Sequence, residues 1–367
     1  MIPEIPVSVL IAPLDWGLGH ATRCIPLIKE FITQGAAVRV ASSAGQLQLI
    51  QKEFPDLICY EIPGYGIRLH KGPFLKWDLL LQSPGILGSI RSESRWLNEL
   101  CRSWKPDIVV SDNRYGMHIP GSHCIFMTHQ LAVRSGFGRW ADRILMNWNY
   151  RFIKRFSACW VPDEEGACTV AGSLSHPPAM PGIPVHYIGI LSRFQRSVTE
   201  NEPGHLVFLI SGPEPQRTVF EKQVFSQLMQ SGRQAVVLRG MPDAQMPAPV
   251  LRKGVEVFNH LDANALAAVL QKAEIVVARS GYSTVMDLLR LRKKSILIPT
   301  PGQGEQELLA AGLFRKNWAL AVPQNEFNLE KALYAAGKMD YKIPDMPDGG
   351  FKMRIKNLMD SVRNNFL

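Results

Sequence analysis

Three strand-to-helix turns carry the residues whose types and spacing suit chemistry. The first is "LDWGLGHATRC", Leu14 to Cys24, directly after the apolar run "VSVLIA". Gly17 and Gly19 let the backbone approach a ligand closely, and His20 falls in the first turn of the helix that follows. A helix start offers N–H groups and partial positive charge, and ligands of doubly wound sheets gather at the carboxyl ends of the strands. A dinucleotide fingerprint would need a third glycine near the place where Arg23 stands, which argues against a dehydrogenase.

The second turn is "ISGPEPQRT", Ile210 to Thr218, with Gly212 after a strand and Arg217 opening a helix. A cation at the positive end of a helix is unfavourable without an anion, so Arg217 points to a phosphate. The third is "VVARSGYSTVMDLLRLRKKSILIPTPGQGEQELLAAG", Val276 to Gly312. Arg279, Ser280 and Gly281 close a strand, and Asp287 lies in the second turn of the next helix. Gln306 and Glu307 begin the helix after the following strand. Amide hydrogens for phosphates beside a carboxylate for ribose hydroxyls suit a nucleoside diphosphate. No metal-ligand spacing and no Asp-x-Asp triplet accompanies these turns.

The elements that must hold these turns alternate. In the first half, strands are expected at "VSVLIA", "AVRVAS", "LICYEI", "DIVVSD", "CIFMTH", "ACWVP" and "VHYIGI". Helices are expected at "HATRCIPLIKEFITQ", "AGQLQLIQKEF" and Arg139 to Phe156. The polar stretch Ser192 to Gly204 breaks the pattern. It restarts with "HLVFLIS", "QAVVLRG", "VEVFNHL", "EIVVARS", "SILIPT" and "WALAVP". This predicts an α/β protein of two Rossmann-like parallel-sheet domains: residues 1–193, a linker at 194–203, and residues 204–345. A final helix within 346–367 is amphipathic and can pack back on the N-terminal domain.

The 367 residues suffice for two cores, and 46% hydrophobic with 20% charged residues marks a globular chain. No run approaches the roughly 20 apolar residues of a membrane span. The early apolar run reads as a core strand rather than a signal peptide. Six cysteines without a CxxC pair read as reduced thiols, which implies the cytoplasm. A net charge of +9 favours an anionic partner: phosphorylated metabolite, nucleic acid or acidic membrane face. Arg134 to Phe156 holds six Lys or Arg against one Asp among aromatic residues, and Gly64 to Trp96 is of similar kind. Such stretches suit either an amphipathic core helix with a solvated basic face or peripheral contact with an anionic membrane. No RNA- or DNA-binding module pattern is present, so nucleic acid is not expected as a partner.

Across Val255 to Gly312 the sequence resembles the GT-B glycosyltransferases of family 28, the MurG-like and monogalactosyldiacylglycerol-synthase-like enzymes. The Arg-Ser-Gly turn, the acid of the next helix and the Gln-bearing segment after a Pro-rich strand occur in the family's order. "GLGHATRCIP" is similar to the family's N-terminal Gly-Gly-His loop, and "THQ" to its acceptor-side segment containing His129. The resemblance implies a GT-B fold whose two domains face a cleft. It also implies an inverting, metal-independent sugar transfer from a UDP-sugar to an acceptor that is not identified, with lipid-linked molecules as candidates. Gly212, Arg217, Arg279, Ser280 and Gly281 would then contact the diphosphate. Leu261 would frame the base, Asp287 would hold the ribose, and Gln306 and Glu307 would meet the donor sugar or ribose. His20 is the candidate for the acceptor-side role, as general base or as a second diphosphate contact, with Asp112 of "VVSDNRYG" as the rival base. Gly17, Gly19 and His129 would line the acceptor side. Three departures stand out: Asp287 replaces the family's usual glutamate, Glu307 replaces a second glutamine, and "SGPEPQR" replaces a Gly-Gly-Ser-rich loop. A UDP-sugar epimerase of the same fold and a non-catalytic sugar-nucleotide-binding protein are the alternatives.

Overall fold

Parallel strands covered on both faces are apolar along their whole length, and the runs named above have that character. The computed structural model describes residues 6–65, 83–133, 138–196, 202–242 and 244–364. The chain divides into two units, Met1–Leu191 with Pro347–Leu367, and Ser192–Met346. Of the stretches singled out above, residues 66–82, 134–137 and 197–201 lie outside the described residues.

In the first unit the strands are β1 (Ser8–Pro13), β2 (Ala37–Ser42), β3 (Ile58–Glu61), β4 (Ile108–Asp112), β5 (His123–Met127), β6 (Ala158–Val161) and β7 (Val185–Tyr187). They form one seven-stranded sheet in the order β3-β2-β1-β4-β5-β6-β7, and every pair is parallel. The helices between them are α1 (Leu18–Thr33), α2 (Ala44–Glu53), α3 (Ser83–Ser103) and α4 (Arg139–Ile153). Leu10, Val109, Phe126 and Cys159 project from neighbouring strands into one core, joined by Leu97 of α3 and Ile153 of α4.

The second unit repeats the plan. Its strands are β8 (Leu206–Leu209), β9 (Ala235–Leu238), β10 (Val255–Phe258), β11 (Ile275–Ala278), β12 (Lys294–Leu297) and β13 (Leu320–Ala321). They lie parallel in the order β10-β9-β8-β11-β12-β13. The helices α5 (Gln216–Gln230), α6 (Ala263–Lys272), α7 (Tyr282–Arg290), α8 (Gly304–Arg315) and α9 (Leu329–Lys338) connect them. Phe208, Val237, Val277 and Ile296 form the centre of this core, with Phe220 and Val224 of α5 on top.

The last helix, α10 (Gly350–Asn364), belongs to the first unit. It buries Phe351, Ile355, Met359 and Val362, a stripe at helical spacing, and leaves its charged residues outside. Arg363 anchors its end by donating to the Gln34 carbonyl at 2.8 Å, just past α1. Gly350 lies so close to the strand-end loop that a Cβ there would stand 2.9 Å from the Ile188 carbonyl oxygen.

Candidate functional site

In each sheet the strand order reverses direction once, and that switch point is where α/β sheets open a crevice for ligands. In the first unit it lies between β1 and β4. The register pairs Pro13 with Asp112, so Asp112 ends β4 beside the turn that starts α1. Gly17 caps α1 with φ 76°, and the helix brings His20 and Arg23 onto one face, three residues apart. His20 Nδ1 lies 2.9 Å from Asp112 Oδ2. Arg23 donates from Nε to the same oxygen at 2.8 Å, and from Nη2 to Asp112 Oδ1. Arg23 Nη1 lies 3.1 Å from Nδ1 of His129, in the loop after β5. Four candidate or neighbouring side chains from three separate segments thus form one network.

Its electrostatics assign the protons. Burial alone would raise the pKa of Asp112, but Arg23 and His20 outweigh it and hold the carboxyl well below the usual carboxylate range. Burial, then the Arg23 charge, push His20 below the ordinary histidine value, against the pull of Asp112. An ionised Asp112 accepts a hydrogen bond from Nδ1–H of a neutral His20, which leaves Nε2 with its lone pair. Arg23 Nη2 also lies 2.9 Å from that Nδ1. Two donors cannot bond to each other, so this contact acts through charge. Asp112 is fully buried with both oxygens engaged, whereas the His20 side chain is 14% exposed. Gly17 and Gly19 serve the turn itself: their carbonyls accept from Gln46 Nε2 and Thr22 Oγ1, each at 3.0 Å.

The second switch point lies between β8 and β11, and there the candidate side chains mostly serve the backbone. Arg217 donates from Nε to Glu214 at 2.7 Å, and from Nη1 to Glu221 at 2.8 Å. The chain itself thus supplies carboxylates to this cation, Glu214 just before its helix and Glu221 within it. Arg279 is buried, with Nη1 donating to the carbonyls of Ile298 and Pro299 and Nη2 to that of Gln216. Its guanidinium stacks over Phe220, 4.3 Å from the ring centroid, and burial lowers its pKa to about 10. Arg279 thus ties the segment after β12 to the start of α5. Ser280 Oγ donates to the Gln306 carbonyl at 2.8 Å. Gln306 Oε1 accepts from Thr300 N at 2.9 Å, and Glu307 Oε1 from Gly302 N at 3.0 Å, so both side chains shape the β12–α8 loop.

The glycines of this switch point remain. Gly212 has φ 107°, a conformation that other residues rarely adopt. Gly281 is different: its φ is −67°, and the nearest atom to an added Cβ is Thr284 Oγ1 at 4.0 Å. The fold leaves room there for a side chain, so the close approach of a ligand is a better reason for glycine. Thr300 Oγ1 is buried without a hydrogen-bond partner, and it would stand 3.6 Å from a Cβ on Gly212. Leu261 is half-buried just before α6, whose N-cap Asp262 accepts from Ala265 N at 2.8 Å. Asp287, on α7, accepts from Ser192 Oγ at 2.6 Å. Burial lifts its carboxyl to about 6, opposed by the Arg193 charge and the Ser192 hydrogen bond.

α6 and α9 carry side-chain caps, Asp262 and Asn328, which accept from Ala265 N and Lys331 N. α1 and α7 begin at the switch points with Gly17 and Gly281, and neither has an acidic residue in its first turn. Three residues of these sites do not stand out in the sequence. Arg23 could have been found from its i, i+3 spacing to His20. Thr300 and Ser192 meet the site only through the fold. Among the described residues no group of three or more His, Cys, Asp or Glu could hold a metal ion.

Residues 215–361 match the glycosyltransferase family 28 C-terminal domain. An uncharacterized glycosyltransferase of Methanosarcina acetivorans is 24% identical over 323 residues, 83% of each chain. The UDP-N-acetylglucosamine–N-acetylmuramyl-(pentapeptide) pyrophosphoryl-undecaprenol N-acetylglucosamine transferase of Clostridium tetani is 25% identical over 122 residues, 31% of this chain and 34% of that one. The spinosyn rhamnosyltransferase SpnG, solved with thymidine diphosphate, superposes with a TM-score of 0.61 over 98% of this chain and 96% of its own, at 16% identity. With its two parallel-sheet units and this match, the chain is a family-28-like glycosyltransferase of the GT-B fold.

Proposed function

We propose that this glycosyltransferase takes its sugar from a UDP-sugar held at the switch point of the second unit, and passes it to an acceptor hydroxyl that His20 deprotonates. The observation that carries the donor half is Gly281: a glycine that the fold does not require, capping a helix without first-turn acids. That combination suits a diphosphate approaching the α7 N-terminus. Asp287, above its pKa of about 6, would accept both ribose hydroxyls. Leu261 would frame the base. Arg217 and Arg279 would act beneath the site, holding the loops rather than touching phosphate.

For the acceptor half, His20 Nε2 is the base and Asp112 its orienting partner. Nε2 takes the acceptor proton as the acceptor oxygen attacks the anomeric carbon, and the bond to the diphosphate oxygen breaks. Attack opposite the leaving group inverts that carbon. The charge developing on the diphosphate is met by the amides of the Ser280–Gly281 corner, so no metal is invoked. A base already neutral and a base pKa kept low by Arg23 suit a step that needs a free lone pair, not a strong acid. An epimerase would need no acceptor base, and the relatives named as transferases favour transfer. A thermal-shift panel of UDP, thymidine diphosphate and GDP tests the donor. UDP is expected to stabilise the protein most; no shift with any of the three contradicts the reading.

The relative acting on a pyrophosphoryl-undecaprenol substrate makes a lipid-linked acceptor at an anionic membrane the fitting partner. Among the described residues no helix is long and apolar enough to cross a membrane. On α4, however, Trp140, Ile144 and Trp148 are 78%, 48% and 40% exposed at four-residue spacing. Arg143, Arg151, Lys154 and Arg155 are exposed on and just past the same helix. Apolar anchors flanked by cations suit an anionic interface. Flotation with phosphatidylglycerol vesicles should carry the protein upward, and a Trp140→Ala/Trp148→Ala variant should stay behind. Equal flotation of both contradicts the assignment.

A further inference from the structure

Asp287 is held from outside its own helix. Ser192 Oγ donates to Asp287 Oδ1 at 2.6 Å, although 95 positions separate the two residues in sequence. The same Oγ accepts from the Phe194 amide at 3.1 Å. A hydroxyl has one proton, and with a lone pair turned to that amide its proton is directed at the carboxylate. The serine is therefore an oriented donor rather than a free rotor. Among the described residues Asp287 Oδ2 has no protein hydrogen-bond partner, so one edge of the carboxylate is fixed and the other is open. The neighbouring Arg193 supplies the one charge that bears on this group, and its guanidinium packs over the Phe194 ring at 5.0 Å. Ser192 to Phe194 are the first residues of the second unit, directly after the last residue of this part of the first.

We infer that Ser192 is a positioning residue of the donor site, orienting the Asp287 carboxylate so that its open edge meets the ribose diol. The inference rests on the assignment of Asp287 to the ribose. A shorter acid than the family's glutamate reaches less far, and a shorter acid benefits more from being held in one orientation. The mechanism is preorganisation: the Ser192 hydroxyl fixes the carboxylate before the nucleotide arrives, so less ordering accompanies binding. Because its hydroxyl is spent on Asp287 and the Phe194 amide, removal of Ser192 should leave the chemical step alone.

The test is a cycle of two nucleotides against four proteins: UDP and 2′-deoxy-UDP titrated calorimetrically into wild type, Ser192→Ala, Ser192→Thr and Asp287→Asn. Ser192→Ala should weaken UDP about five- to tenfold, the size of one hydrogen bond, and 2′-deoxy-UDP by much less. Ser192→Thr keeps the hydroxyl and should restore UDP binding. With a donor in turnover, Ser192→Ala should raise the donor KM and leave kcat unchanged. Equal losses for both nucleotides would overturn the inference, because they indicate a general structural effect. So would unchanged UDP binding in Ser192→Ala alongside a loss in Asp287→Asn. If Asp287→Asn itself binds UDP normally, the ribose assignment fails, and that outcome is separable from a failure of Ser192 alone.

Discussion

At the end of β4 the chain gathers ionisable side chains into one network, whereas at the end of β11 it turns such side chains onto its own backbone. His20, Arg23 and Asp112 meet within hydrogen-bond distance, with the proton affinities of His20 and Asp112 both lowered. Around β11, Arg279, Ser280, Gln306 and Glu307 each bond to a loop carbonyl or amide, and Gly281 is left bare at the α7 start. Proton transfer needs a titratable group with a tuned pKa; gripping a diphosphate needs rigid amides in fixed places. On the proposed reading, the same doubly wound plan, built twice, would serve two different tasks, according to whether side chains gather into one network or bond to the backbone.

That division can be broken from either side. His20→Ala should lower kcat by about 10²–10⁴-fold, the usual range for a lost base, while the UDP Kd stays at the wild-type value. A matching loss of UDP affinity would show that the two tasks are not separate. Arg23→Gln should cost about 3–5 kcal/mol of stability in denaturant unfolding, because Asp112 is left as an uncompensated buried charge. Arg23 also lowers the pKa of His20, so the acid limb of kcat at saturating donor should move to higher pH in that variant. An unmoved limb would remove Arg23 from the tuning of the base.

Asp287 sharpens the contrast with a smaller effect and an opposite sign. Its carboxyl titrates near 6 in the fold, against an ordinary 3.8. The native state then holds the proton more tightly than the unfolded chain, so stability falls as pH rises from about 3.8 through 6, and the deficit persists above. Asp287→Asn removes that deficit and should gain about 1–2 kcal/mol at pH 7.5, a gain that vanishes near pH 4. The same variant should lose UDP affinity, and wild-type UDP binding should weaken below about pH 6. A residue that destabilises the fold while binding ligand marks a site shaped for function.

The strands are legible in the sequence as short apolar runs, buried throughout in β4, β6, β9 and β11 and partly exposed in β3 and β7; all thirteen described strands are where those runs predict. The helix α3 is not, since "SPGILGSIRSESRWLNELCRS" opens with Pro-Gly and places polar residues between its buried Ile90 and Leu97. For the site, the glycine turns, His20, Asp112 and Asp287 can be read from type and place. The Arg217 pairing was also legible, because Glu221 stands four residues on along the same helix and Glu214 three residues back, just before it. The inward turn of Arg279 was not, because its partners, the Phe220 ring and the carbonyls of Gln216, Ile298 and Pro299, lie well away from it in sequence. The bond from Ser192 to Asp287 is hidden for the same reason.

The most direct measurement is UDP calorimetry on Gly281→Ala beside wild type, with Tm recorded for both. The space around Gly281 admits a methyl group, so the two proteins should melt together, and the variant should bind UDP at least about tenfold more weakly, as expected when an atom intrudes on a phosphate contact. Equal UDP affinity at equal Tm would mean that no diphosphate sits at the start of α7.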